Sequence, residues 1–181
     1  MAEVPSLNAS PPDLRFSHRR ASHDPGMNPF LKAALAGCAA TLPMSVWMLA
    51  AQHFLLPRRE RYPLPPEQIT EHAAEAAGLD AVADSEPVLK AATVFNHFAY
   101  GAATGALYAP LRELPGSPIL KGMGLGLGVW TGSYLGLLPA TGLLSSATEH
   151  PARRNALMIA AHLIWGGCTG VLAERKGARG G

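Results

Sequence analysis

The chain has 181 residues, of which only 15% are charged, against roughly 25% in an average soluble domain. Its 15 basic and 13 acidic residues leave a formal net charge of +2. Because this small charge is divided among segments separated by apolar runs, the chain has no basic face, which excludes a nucleic-acid-binding protein. The shortage of charge also excludes a simple soluble globule, whose amphipathic helices carry charges every turn or two.

Four runs of the sequence contain no Asp, Glu, Lys or Arg. They are 19 to 27 residues long and lie at 33–57, 91–111, 122–148 and 155–173. A helix needs roughly 20 apolar residues to cross a hydrocarbon core about 30 Å thick. The runs therefore predict an all-α fold, a four-helix transmembrane bundle in the lipid bilayer. The predicted spans are about 31–56, 91–110, 119–139 and 155–173.

Composition also assigns the segments outside the spans. Residues 1–28 are rich in proline and lack the apolar centre of a signal peptide, which predicts a flexible tail. Residues 29–174 form the membrane domain, and residues 175–181 form a C-terminal tail. Nine Lys and Arg residues lie near the two termini and in the turn at 112–121, against six in the other connections. This bias favours cytoplasmic termini.

Residues 58–90 form the one long extramembrane connector of the membrane domain. Pro65 and Pro66 predict the start of a short helix of about three turns that ends before Gly78. Two interpretations are open for this helix. It is either a lid over a substrate site or an ordinary polar connector that rests on the lipid interface.

An internal repeat links the second and fourth spans. The second span contains His97, Tyr100, Gly101, Thr104 and Gly105, and the fourth contains His162, Trp165, Gly166, Thr169 and Gly170 at the same spacing. At 100° per residue, the His, Gly, Thr and Gly of each span fall within about 100° of arc. Each pair of glycines, called here a Gly stripe, predicts close helix packing in the membrane, with the His and Thr side chains as buried polar contacts.

A weaker echo links the first and third spans, where Lys32 and Lys121 are each followed five residues later by a glycine, Gly37 and Gly126. Together the two matches predict two helical hairpins repeated in tandem with the same membrane orientation. In that arrangement His97 and His162 lie at equal depth. The many small residues also leave helix surface on which copies of the chain can pack, so a homo-oligomer is possible.

Ionisable residues inside a membrane are costly, so His97 and His162 are the candidate functional residues. In one interpretation each neutral imidazole donates a hydrogen bond to a neighbouring helix. In a second, the two imidazoles bind a haem iron or a transition metal, the glycine four residues later leaving room for a flat macrocycle. His53 and His150 would lie on the same side and could extend such a cluster. A third interpretation is transport of a proton or small solute, although the spans contain no carboxylate.

No enzymatic motif is present in the sequence. The serines lack a GxSxG context and no HExxH occurs, so we expect no catalysed reaction. Cys38 and Cys168 lie inside predicted spans without CxxC spacing and predict no disulfide. No cofactor is expected, apart from the haem alternative.

The layout resembles a known family. The motifs that carry the resemblance are Arg61-Tyr62-Pro63-Leu64-Pro65-Pro66 directly after a Gly/Ala-rich first span, a mid-chain His-aromatic-Gly helix, and a closing His162-Leu-Ile-Trp165 helix. Over about residues 30–174 the chain is similar to the YagU-like family of small bacterial inner-membrane proteins. The resemblance implies a multi-pass helical protein of the cytoplasmic membrane without an established activity or an active site to carry over.

Overall fold

The computed structural model describes residues 27–58, 61 and 63–175. This part of the chain forms helices and irregular segments, and no β-strand occurs within it, which confirms the all-α class. The predicted tails 1–28 and 175–181 lie outside the described residues, except at positions 27, 28 and 175. Tyr62 also lies outside them.

Four long helices overlap the predicted spans, although the second long helix lies five residues earlier than its span and the third ends seven residues before the end of its span. In chain order they are α1 (Pro29–Ala50), α2 (Pro65–Ala76), α3 (Asp80–Ala83), α4 (Glu86–Gly105), α5 (Tyr108–Leu111), α6 (Pro118–Gly132), α7 (Leu138–Thr141) and α8 (Ala152–Glu174). A π-helical turn, Ala51–Leu55, extends α1, and a second, Ser133–Leu137, joins α6 to α7. Helices α1, α4, α6 and α8 thus occupy the four charge-free runs, and α2 is the helix predicted in the connector.

Prolines start most of the long helices, because the first turn has no intrahelical partner for a backbone N–H and the fixed φ of proline suits it. Pro29, Pro65 and Pro118 each occupy the first position of their helix. The Oδ1 atom of Asn28 accepts a hydrogen bond of 2.8 Å from the backbone N–H of Phe30 and so caps α1.

The third long helix does not stop at its internal proline. Pro139 has no N–H, and its ring clashes with the carbonyl four residues earlier, so the regular ladder cannot continue through it. Just before it the ladder passes into the π-helical turn, in which the N–H of Leu138 bonds to the carbonyl of Ser133, five residues back. The helix resumes as α7 and ends at Gly142, whose φ of 72° is left-handed.

Helix α8 lies between α1 and α6, and α1 also packs against α4. The indole Nε1 of Trp165 donates to the carbonyl of Gly37 at 3.0 Å. Ten residues further along α1, Nε1 of Trp47 donates to the carbonyl of Leu157 at 3.1 Å. Residue numbers rise along α1 as they fall along α8, so the two helices are antiparallel.

The two Gly stripes pack against different helices. An added Cβ on Gly105 of α4 would lie 2.6 Å from Cα of Gly37 on α1. An added Cβ on Gly166 of α8 would lie 2.8 Å from the carbonyl carbon of Gly122 on α6. Real Cβ atoms essentially never come closer than 3.0 Å, so only glycine allows these approaches. Each predicted hairpin is therefore held together through its own glycines.

These contacts correct the register of the weaker echo. The backbone oxygen beside Gly105 belongs to Ala33, and the one beside Gly170 belongs to Pro118. When the two hairpins are aligned by these contacts, Gly37 of the first hairpin occupies the same place as Gly122 of the second. The predicted match of Gly37 with Gly126 is therefore wrong by one helical turn. The alignment of the two hairpins is set by the small residues at which the backbones of two helices approach each other. The two lysines do not set it.

Two helical segments are long and apolar enough to cross a membrane. They are Pro29–Leu55, with a mean hydropathy of 1.6, and Ala152–Glu174, with 1.7. Both also bury part of their surface within the bundle, 39% and 50% respectively. Helices α4 and α6, of 20 and 15 residues, are not among the segments that meet this test, so it supports two of the four predicted spans.

Candidate functional site

A cavity of about 130 Å³ lies at the centre of the bundle, between α1, α4, α8 and the π-helical turn after α6. We call it the central cavity. Its lining is mostly apolar with a set of convergent polar side chains, the usual character of a ligand pocket. The polar side chains are Thr41, Thr70, Asn96, His97, Tyr100, Thr104, Ser133, Tyr134 and His162.

The two candidate histidines meet at the central cavity. The carbonyl oxygen of Gly37 gives a common reference for the depth of the two histidines. It accepts the hydrogen bond from Trp165, and it lies 3.2 Å from the place that a Cβ on Gly101 would occupy. His97 precedes Gly101 by four residues and His162 precedes Trp165 by three, on helices that run in the same direction. The two imidazoles therefore lie at similar depth, as the repeat predicts.

His162 is buried, with 6% of its surface exposed. Its Nδ1 lies 2.8 Å from the carbonyl oxygen of Met158, and because a carbonyl only accepts, Nδ1 must carry the proton. The other ring nitrogen, Nε2, then has a free lone pair and bonds to no described residue. The ring of Tyr134 meets the imidazole edge-on at 5.8 Å between centroids.

The Nε2 atom of His97 is also buried, and it has no hydrogen-bond partner among the described residues. A buried polar atom without a partner costs free energy and needs an explanation. In the first interpretation of the two histidines, each imidazole donates a hydrogen bond to a neighbouring helix. The structure differs: within its described part, His162 bonds to a carbonyl of its own helix and Nε2 of His97 bonds to none.

The π-helical turn supplies three residues of the cavity wall that the sequence pattern does not single out, Ser133, Tyr134 and Leu137. The hydroxyls of Tyr100 and Ser133 lie 2.7 Å apart and join α4 to this turn. Adding a residue to one helical turn changes the direction of the side chains that follow, and such turns are frequent at functional sites. The detectable signal in the sequence is Pro139, the cause of the turn.

Helix α2 covers one end of the central cavity. Pro66, Ile69 and Thr70 belong to the lining, and Nδ2 of Asn96 on α4 lies 3.5 Å from Oγ1 of Thr70. At the far side of α2, Nδ1 of His72 lies 2.8 Å from the carbonyl of Leu143. The connector helix therefore packs against the bundle at the cavity end.

The threonines of the repeat bond within their own helices. Oγ1 of Thr104 donates to the carbonyl of Tyr100 at 2.7 Å, and Oγ1 of Thr169 donates to that of Trp165 at 2.8 Å. Thr169 is fully buried, whereas Thr104 is half-buried at the edge of the central cavity. Both hydroxyls donate their hydrogen bond to a carbonyl of their own helix, so they do not link one helix to another.

The space expected for a flat macrocycle is filled by protein. The haem interpretation places the ring over Gly101 and Gly166, but backbone or side-chain atoms of α1 and α6 occupy those faces. The central cavity, at about 130 Å³, is a compact space and not a broad slot. The residues present do not fit a haem between the two imidazoles.

The other histidines near this side do not extend the pair. His53 is exposed, and neither His53 nor His150 lines the central cavity. Nδ1 of His150 lies 3.2 Å from the guanidinium of Arg154. Burial and the positive charge of Arg154 lower the pKa of His150 below its usual value. Within the described part of the chain, no group of three or more His, Cys, Asp or Glu side chains could hold a metal ion.

A polar cluster closes the opposite end of the bundle. Nζ of Lys121 lies 2.8 Å from a carboxylate oxygen of Glu174, and the hydroxyl of the buried Tyr108 donates to the same oxygen at 2.6 Å. Nζ of Lys32 donates to the carbonyl of Arg175 at 2.6 Å. The two lysines of the weaker echo thus both meet the end of α8.

Comparison with known proteins yields no match: no family model, no curated protein and no solved structure is similar to this chain.

Proposed function

We propose that the chain is a four-span membrane protein of the bacterial cytoplasmic membrane, with its termini in the cytoplasm. The support is the outer surface of the bundle, where each of the four long helices exposes large apolar side chains. Examples are Leu42 on α1, Phe95 on α4, Leu120 on α6 and Val171 on α8, with 60%, 72%, 67% and 42% exposed. Apolar surface on every side is costly in water and is favourable in lipid.

Within this bundle we propose that the central cavity binds a small ligand. The observation that carries the proposal is that His97 and His162, from the two halves of the repeat, both line one cavity, and that the buried Nε2 of His97 has no hydrogen-bond partner among the described residues. Such unsatisfied, convergent groups in a largely apolar pocket are what a ligand would satisfy. The function proposed is therefore ligand binding by a membrane protein.

Catalysis and transport have less support from the same residues. The Ser133 hydroxyl bonds to Tyr100, and among the described residues no imidazole bonds to a hydroxyl, as nucleophilic catalysis requires. In the described part of the chain no carboxylate lines the central cavity, whereas most proton and cation paths use one. Membership of the YagU-like family and self-association stay predictions.

A cysteine-accessibility experiment tests both parts of the proposal. Ser133→Cys, made in a chain whose Cys38 and Cys168 are replaced by serine, places a thiol in the central cavity. A membrane-impermeant thiosulfonate should label it in spheroplasts from the α2 side, which the proposed topology places outside. The matched control is Leu135→Cys, two residues along the same turn and 44% exposed on the lipid-facing surface. It should stay unlabelled.

Labelling of Leu135→Cys by the charged reagent would contradict the membrane span. Failure to label Ser133→Cys from either side would contradict an accessible cavity. Labelling of Ser133→Cys only in inside-out vesicles would reverse the proposed orientation.

A further inference from the structure

Two methionines line the central cavity together with the two histidines. Met44 and Met48 lie one turn apart on α1 and are buried, with 6% and 4% exposed. Residues four apart share one face of a helix, so both side chains lie on the cavity side of α1. Two sulfur and two imidazole donors therefore border a single space of about 130 Å³.

The hydrogen bonding of the imidazoles suits metal ligation. A ligating histidine usually donates its other ring N–H to a carbonyl or carboxylate, which fixes the tautomer and the ring orientation. His162 makes such a bond, from Nδ1 to the carbonyl of Met158 at 2.8 Å, leaving the Nε2 lone pair free. A metal would also satisfy the buried and unpartnered Nε2 of His97.

The donor set indicates which metal. Thioethers are soft ligands that select Cu(I), and imidazole also suits copper. Structural zinc sites use four ligands, mostly Cys, His or carboxylate, and the described part of the chain holds no group of even three such side chains. Among the described residues, no carboxylate lines the cavity to neutralise a divalent ion. Because Born desolvation rises with the square of the charge, a divalent ion costs about four times as much to bury as Cu(I).

We infer that the central cavity binds one Cu(I) ion through His97, His162, Met44 and Met48. The inference rests on the proposed function, because it requires that the cavity accept a ligand, and it names that ligand. It requires no redox step, since the ion binds in its reduced state.

The test is anaerobic titration of the purified full chain with Cu(I), in competition with bathocuproine disulfonate. Cys38 and Cys168 are replaced by serine so that no thiol competes. We expect one Cu(I) per chain. His162→Gln should weaken binding by more than about 100-fold, because even outer-shell changes cost 10–100-fold. The volume-conserving double variant Met44→Leu/Met48→Leu should weaken it by at least about 10-fold.

The matched control is Met123→Leu, a half-buried methionine on α6 that does not line the central cavity. It should bind as the parent chain does. X-ray absorption of the loaded parent chain needs no variant and should show both sulfur and nitrogen scatterers.

Equal Cu(I) affinity in all variants, or absorption data without sulfur, would overturn the inference, as would Zn(II) binding as tight as that of Cu(I). Absence of Cu(I) binding overturns it too, and the labelling experiment then separates two cases. If Ser133→Cys is labelled from outside, the cavity accepts a different ligand. If it is not labelled from either side, the proposed function fails as well.

Discussion

The contact between α6 and α8 depends on glycine at position 126, and Gly126→Ala tests that dependence. An added Cβ there would lie 2.9 Å from the carbonyl carbon of His162 and closer still to its oxygen. Ordinary contact begins near 3.4 Å, so the helices must separate by at least about 0.5 Å. Overpacking of this kind costs about 1–3 kcal/mol.

Gly128→Ala is the matched control, two residues away on the same helix. Nothing lies within 4 Å of a Cβ added to Gly128. Both variants gain the helix propensity of alanine, worth about 0.5–1 kcal/mol, so their difference isolates the steric cost. We expect Gly126→Ala to be about 1–3 kcal/mol less stable than Gly128→Ala.

The free energy of unfolding is measured in mixed micelles of increasing dodecyl sulfate fraction, followed by tryptophan fluorescence. Equal unfolding midpoints for the two variants would refute the close approach of α6 and α8 at Gly126. Loss of stability in Gly128→Ala alone would indicate that the outward face of α6, and not the inward face, carries the packing.

Three further predictions follow from single side chains: two concern hydrogen bonds, and the third concerns the titration of a histidine. Trp165→Phe removes the buried 3.0 Å bond to the Gly37 carbonyl and should lower the free energy of unfolding by about 1–3 kcal/mol. Tyr108→Phe removes the 2.6 Å bond to the Glu174 carboxylate, at about 1.5–3 kcal/mol. Because the folded-state pKa of His150 is lowered, its contribution to stability is complete above about pH 6.5 and is lost as the pH falls below that value. His150→Gln should remove this part of the pH dependence, measured as the unfolding midpoint from pH 8 to 5.

Each of these predictions has a comparison variant. Trp47→Phe, at a half-buried bond of 3.1 Å, should cost less than Trp165→Phe, and an equal loss would contradict the importance of burial. Glu174→Gln keeps an acceptor for the tyrosine but loses the ion pair with Lys121 at 2.8 Å, so it should cost less than Tyr108→Phe. His53→Gln alters an exposed histidine and should leave the pH dependence unchanged. A pH profile of His150→Gln identical to that of the parent chain would show that His150 does not contribute.

Local patterns in the sequence predict the helices well. Charge-free runs mark the four long helices, and prolines mark the starts of α1, α2 and α6, because hydrophobicity and the missing proline N–H act within a few residues. The Gly-x-x-x-Gly pairs indicate close packing for the same reason, since they report the shape of one helix face. The fold class and the candidate histidines are therefore readable without a structure.

Which surfaces meet is decided by contacts between residues far apart in the chain. Spacing alone does not show that Gly166 packs on Gly122, nor that the register of the weaker echo shifts by one turn. Nor does spacing show that α2 packs over the central cavity, where Thr70 reaches Asn96 of α4.

The composition of the central cavity also depends on the π-helical turn before Pro139, where Ser133 and Tyr134 line the cavity and the ring of Tyr134 meets that of His162 edge-on. The sequence by itself determined the helices and the two imidazoles. Only the tertiary structure decided that those imidazoles share one cavity with Met44 and Met48, because that outcome depends on how four helices pack together.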